Sequence, residues 1–159
     1  AMYREFFKPR HQLMWTRAKE LADVKVQLHC CGGVRPLFED LIDAGLDAIN
    51  PVQVSAKGMG DVAALKQQAG DRLTFWGGVD TQVTLPNGTP EEVGRETESR
   101  IRDLNQNGGY VLGADLIEWF KNSLHRFCSK LARDSVPAKI APLKRYIDYR
   151  GFHSLQFSC

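Results

Sequence analysis

The sequence predicts an α/β fold of about four strand-helix units, a partial (β/α)8 barrel of parallel strands. Three observations carry that expectation. Short β-rich runs alternate with helical patterns, each run ends in a polar or glycine-rich loop, and no G-x-G-x-x-G follows any of them. A parallel connection needs roughly a dozen residues, and a helix is its usual filler. Polar groups at every strand end favour a barrel, whose site is assembled from the loops of one face, over a doubly wound sheet.

The elements follow in order. Pro9 to Ala22 reads as a leading helix. The run Val24 to Leu28 ends at His29-Cys30-Cys31-Gly32-Gly33, and Pro36 opens a helix with Leu37, Phe38, Leu41 and Ile42 at helical spacing, stopped by Gly45. Leu46 to Ile49 reads as a buried strand ending at Asn50-Pro51, followed by a helix from Asp61 to Ala69 with Val62 and Leu65 inward and Gly70 as its stop. Leu73 to Trp76 is a third strand, ending in Gly77-Gly78-Val79-Asp80. Thr89-Pro90-Glu91-Glu92 is a capping box with proline at the first helical position. Its helix carries Val93, Thr97, Ile101 and Leu104 on one stripe and stops at Gly108-Gly109, before a fourth strand, Tyr110 to Leu112. A fourth helix is expected from Asp115 to Ala132.

Composition bounds the class. The chain has 159 residues, 43% of them hydrophobic and 25% charged, the proportions of a globular domain that buries a core. No apolar run approaches the ~18 residues of a membrane span and no basic-then-apolar leader opens the chain, so a cytoplasmic protein without a membrane partner is expected. A net charge of +2 is too small to imply nucleic acid. Four cysteines, with Cys30 and Cys31 adjacent, read as free thiols or metal ligands rather than a secreted disulfide framework.

Four units make half a barrel, because a complete one takes roughly 250 residues. The expectation is therefore a C-terminal half, either preceded by a missing N-terminal half or stabilised by self-association across exposed strand edges. Of the 14 glycines only Gly151 lies beyond residue 113, and the charges shift there from 13 basic and 15 acidic to 8 and 4. Two parts follow: residues 1–113 as the half-barrel, and 114–159 as a divergent helical tail, in which Pro137, Pro142 and LKRYIDYRGFH suggest a short helix and loop, or disorder.

The stretch from Tyr3 to Gly113 resembles the uroporphyrinogen decarboxylase superfamily. The motifs that carry the resemblance are YREFFKPRH, VQLHCCGGVRPLFEDLIDAGLDAINPVQVSAKGM, LKQQAGDRLTFWGGVDTQVTLPNGTPEEV and NGGYVLG, in that order. This group joins haem-pathway decarboxylases with cobamide-dependent methyltransferases. The resemblance implies a TIM barrel whose active site, taking a small-molecule substrate, lies at the C-terminal ends of the strands. In the methyltransferase branch, a His-x-Cys motif and a cysteine from a later strand end hold zinc, which binds a thiol substrate. His29-Cys30-Cys31 matches the first part, with His29 and Cys31 at the ligand positions. The place of the later cysteine reads Ala114-Asp115-Leu116 and contains none, while His125 and Cys128 lie too far along the expected helix to replace it.

Side chains two apart on a strand face the same way, so His29 and Cys31 converge while Cys30 turns to the helix layer. Imidazole and thiolate are ligands zinc accepts; the structural alternative is a hydrogen-bonded histidine at a strand end beside a buried cysteine. Asp80 reads either as a pocket hydrogen-bond acceptor or general base, with Gln82 beside it, or as a loop residue capping its own backbone. Gly77 and Gly78 imply positive φ or close approach of the backbone to a substrate. Asn50 and Gln53 read as hydrogen bonders to a substrate amide or carboxylate, or as a turn before proline. Trp76 reads as barrel packing.

Three functions follow from these residues. The first is zinc-dependent methyl transfer from a corrinoid, carried by a partner protein, to a thiol-type acceptor. The second is porphyrinogen decarboxylation in tetrapyrrole biosynthesis, by arginines and an aspartate of the other half of the barrel. The third is a catalytically inactive half-barrel that self-associates.

Overall fold

The computed structural model describes residues 2–113 and 154–158. The chain divides into two compact units: Ala1–Asp115 with Gly151–Cys159, which holds all of these residues, and Leu116–Arg150, which lies outside them. A π-helical turn, Tyr3–Phe7, leads into helix α1 (Lys8–Leu21). Strand β1 (Lys25–His29), helix α2 (Phe38–Asp43), strand β2 (Ala48–Asn50), helix α3 (Val62–Ala69) and strand β3 (Thr74–Trp76) follow in strict alternation. Helix α4 (Thr84–Asn87) and helix α5 (Pro90–Leu104) precede strand β4 (Tyr110–Val111), and strand β5 is Ser154–Ser158.

The local signals act as their chemistry dictates. Asp61 caps α3 by accepting a hydrogen bond from the Ala64 N–H at 3.0 Å. The Thr89 hydroxyl accepts from the Glu92 N–H, and the Glu92 carboxylate accepts from the Thr89 N–H at 2.7 Å, which completes the capping box of α5. Gly45 ends the helix of the first crossover at φ +103°, where a side chain is strained.

All five strands are parallel, in the order β4-β3-β2-β1-β5. The first four therefore neighbour one another in chain order, with no reversal of the kind that marks a doubly wound sheet. This is the arrangement of an arc of a (β/α) barrel, and the α/β part-barrel expectation holds. Val26, Gln27 and Leu28 are all buried, as are the three residues of β2, because a parallel strand has structure on both faces.

One core lies between the sheet and its helices. Trp15 of α1, Phe38 and Leu41 of α2, Leu65 of α3 and Leu104 of α5 pack with Val26, Ile49 and Phe75 of the strands. The rings of Phe38 and Phe75 meet at 5.8 Å, tilted by 56°. Helix α1 is also fixed electrostatically: Asp40 of α2 accepts from Arg4 Nε at 2.7 Å and from Lys8 Nζ at 2.8 Å.

Two differences from the sequence reading stand out. The loop after β3 contains the short helix α4, which its apolar pattern does not signal. Within the expected helical tail, Ser154–Ser158 forms a strand that pairs with β1 along its whole length, from Lys25↔Ser154 to His29↔Ser158. Backbone pairing, which five residues satisfy in a sheet as well as in a helix, leaves little trace in so short a segment. The expected helix from Asp115 to Ala132, and with it Asp115, His125 and Cys128, lies outside the described residues.

Candidate metal and substrate site at the strand ends

Strand register assembles the site. Pairing of β1 with β2 sets His29 beside Asn50, and the ladder continues one step further through Cys30 N–H to Asn50 C=O at 2.7 Å. The side chains repeat the pairing, with His29 Nδ1 2.7 Å from Asn50 Oδ1. On its other edge the ring faces Cys31, Nε2 standing 3.6 Å from Sγ. Asn50 is buried, His29 half-buried and Cys31 exposed, so the pair opens to solvent from a buried base.

That spacing suits a shared metal. Zinc–nitrogen and zinc–sulfur bonds of about 2.0 and 2.3 Å at a tetrahedral angle separate the two donors by roughly 3.6 Å. Cys30 is half-buried and packs against the core, in the direction the alternation of side chains implies. Among the described residues no group of three or more His, Cys, Asp or Glu side chains is placed to hold a metal, so this constellation supplies two ligands.

The loops after β1 and β2 are fastened to each other. Gln53 Oε1 accepts from the Gly32 N–H at 2.7 Å, and its amide nitrogen lies 3.5 Å from Ser55 Oγ. A Cβ on Gly33 would stand 2.6 Å from the carbonyl oxygen of Lys57, which requires glycine there. Asn50 and Gln53 thus hold the His29–Gly33 loop from beneath and from the side.

The loop after β3 spends its polar groups on its own backbone and on side chains of α5 and β4. Gly77 and Gly78 adopt φ of +102° and +96°. The Gly77 carbonyl accepts from the Tyr110 hydroxyl at 2.8 Å, and the Gly78 carbonyl accepts from Arg100 Nε at 2.8 Å. Asp80 Oδ1 accepts from the backbone N–H groups of Gln82 and Val83, at 2.8 and 3.2 Å, while the Asp80 N–H donates to Glu96 Oε1. Gln82 is exposed. Glu96 also accepts from Arg100 at 2.8 Å, one helical turn on. Glu96, Arg100 and Tyr110 escape the sequence reading as site-shaping residues. Their signal is faint but present: Glu96 and Arg100 are an i,i+4 pair, three and seven residues after Val93 on the buried stripe of α5.

A cavity of about 740 Å³ opens elsewhere, lined by Lys25, Asp47, Lys66, Asp71, Thr74 and Gly109 among others. Lys25 and Thr74 begin their strands, so this cavity lies at the N-terminal rim, where barrels carry stability rather than chemistry. Burial lowers the affinity of the Lys66 ammonium for its proton, and Nζ donates to the carbonyls of Gly70 and Gly108 at 3.2 and 2.6 Å. The donor set at His29 and Cys31, not cavity size, places the site.

Comparison with known proteins adds three findings. The family model described as uroporphyrinogen decarboxylase (URO-D) matches residues 1–115, ending beside the glycine and charge boundary at Gly113. A methylated-thiol–coenzyme M methyltransferase of Methanosarcina mazei is 31% identical over 99 residues, which cover 62% of this chain and 24% of that protein. The chain therefore spans about a quarter of the length of the curated relative it matches. No solved structure matches the chain significantly.

Proposed function

Since the chain belongs to the uroporphyrinogen decarboxylase family, we propose that it is part of a zinc-dependent methyltransferase that passes a methyl group from a corrinoid protein to a thiol-type acceptor. The observation that carries this reading is the 3.6 Å approach of His29 Nε2 to Cys31 Sγ. The likeness to a methylated-thiol methyltransferase supports the choice of acceptor.

His29 and Cys31 are the residues that would hold the metal. Zinc supplies Lewis acidity that keeps an acceptor thiol as its nucleophilic thiolate at neutral pH. A corrinoid protein would supply the methyl group as substrate, and the acceptor thiolate would take it. Gln53 and Gly33 hold the two loops together so that the ligand pair keeps its spacing. Gly77, Gly78 and Gln82 bound the substrate from the third strand end. Asp80 enters as the residue that shapes this loop, because two backbone N–H groups already engage its Oδ1. The thiols of Cys30 and Cys31 are not joined in a disulfide, which suits a reducing cytoplasm.

Metal content after purification tests the reading. Near-stoichiometric zinc that disappears in His29→Ala is expected; wild-type protein purified metal-free, and unable to take up added zinc, overturns it. The alternative within the family, porphyrinogen decarboxylation, requires no metal and predicts that second result. The third possibility, a half-barrel that self-associates, rests on the sheet ending at β4 and β5 among the described residues. Light scattering coupled to size exclusion addresses it, and a compact monomer excludes it.

A further inference from the structure

The side of His29 that faces away from Cys31 carries information about how the ligand is prepared. Its Nδ1 lies 2.7 Å from an amide oxygen, Oδ1 of Asn50. An amide oxygen accepts and never donates, so in this contact the ring hydrogen sits on Nδ1 and the neutral ring keeps its lone pair on Nε2. Nε2 is the atom turned to Cys31.

Asn50 is in turn held rigidly. It is 6% exposed, it is the register partner of His29 on β2, and its own carbonyl accepts from the Cys30 N–H. With its backbone fixed in the β1–β2 ladder and its side chain buried, the amide stands where register puts it, so the hydrogen bond is imposed on the histidine rather than adapted to it.

We propose that Asn50 is the positioning residue of this site: by accepting the Nδ1–H of His29 it fixes the tautomer and aims an unprotonated Nε2 at the metal position beside Cys31. The inference rests on the metal reading above for its consequence, but the tautomer itself is a property of the metal-free chain. Partners of a ligating histidine's second nitrogen typically change metal affinity by about 10- to 100-fold when removed, and a loss of that size is expected here.

The test uses the whole 159-residue chain. Long-range 1H–15N spectra of the metal-free protein, recorded with the ring neutral and assigned by comparison with His29→Gln, report which nitrogen carries the hydrogen. The expected result is Nδ1–H in the wild type, a shift toward Nε2–H in Asn50→Leu, and return to Nδ1–H in Asn50→Asp, whose carboxylate restores the acceptor. Zinc titration should follow the same pattern, weaker by about 10- to 100-fold in Asn50→Leu and restored in Asn50→Asp. Wild-type protein in the Nε2–H form overturns the proposal without any variant having to fold. So does a leucine variant that keeps both the Nδ1–H tautomer and the wild-type zinc affinity. If the tautomer behaves as expected while the wild type binds no zinc, Asn50 still positions the ring and only the metal reading fails.

Discussion

The loops after β1 and after β3 are both polar, glycine-rich strand ends, yet they spend their polar groups in opposite ways. At β1 the side chains of His29 and Cys31 face one another across 3.6 Å, with Cys31 exposed, while the residues that support them, Asn50 and Gln53, belong to the neighbouring strand end. At β3 the carboxylate of Asp80 and the carbonyls of Gly77 and Gly78 are turned inward, onto backbone N–H groups, Tyr110 and Arg100. A polar residue at a strand end is thus no evidence of chemistry until its hydrogen bonds are counted. Where neighbouring residues bond to the loop's backbone and to the far edge of the ring, side chains are left for a ligand, whereas a loop whose own carboxylate and carbonyls take up the hydrogen bonds consumes them.

The largest expected effect separates the two loops directly. His29→Ala or Cys31→Ser should abolish zinc retention measured by elemental analysis, whereas Asp80→Asn should leave it unchanged. Loss of metal in Asp80→Asn would erase the distinction. Arg100→Met comes next: it removes the donor to the Gly78 carbonyl and the partner of Glu96, both poorly solvated, and should cost about 1–3 kcal/mol in denaturant unfolding without altering zinc content.

Smaller effects refine the comparison. Gly78→Ala forces a side chain to φ +96° and should destabilise by about 1–2 kcal/mol, again with metal binding intact. Gly33→Ala should do the converse, weakening zinc by roughly tenfold, as loss of outer support does, because its Cβ pushes the first loop off Lys57. Thr89→Ala removes the cap of α5 and should cost about 1 kcal/mol.

The α1 anchor carries a pH dependence of its own. Lys8, and then Arg4, hold the Asp40 carboxyl below its ordinary value, while Asp40 raises Lys8 above its own. A depressed carboxylate contributes stability that is present above the ordinary carboxylate range and is lost as pH falls through the folded value; the raised ammonium contributes below the ordinary lysine range and is lost as pH rises through its folded value. The pair therefore operates across neutral pH. Thermal melts of Asp40→Asn should lie below the wild type at pH 7 and converge with it in strong acid.

Much of the fold was legible because its signals are local. Thr89 and Glu92 lie three residues apart and close their box without help from the rest of the chain, and Gly45 ends its crossover for a reason internal to one residue. His29 and Cys31 were legible as a pair for the same reason, since side-chain alternation acts over two residues. The role of Asn50 was not. Its distance from His29 in sequence is 21 residues, and which residue of β2 falls beside the ring depends on strand register. Arg100 and Tyr110 were hidden likewise, reaching the β3 loop from 22 and 33 residues away.

The sequence by itself thus determined the alternation of elements, their caps and stops, and the two-residue spacing of His29 and Cys31 at a strand end, because each depends on interactions spanning a few residues. Tertiary structure alone decided the order of the strands, the pairing of β5 with β1, the contact of His29 with Asn50 and the inward turn of Asp80. Most of these are set by which segments lie side by side once loop closure and burial have been satisfied, and even the short turn at Asp80 takes its direction from α5 through Glu96.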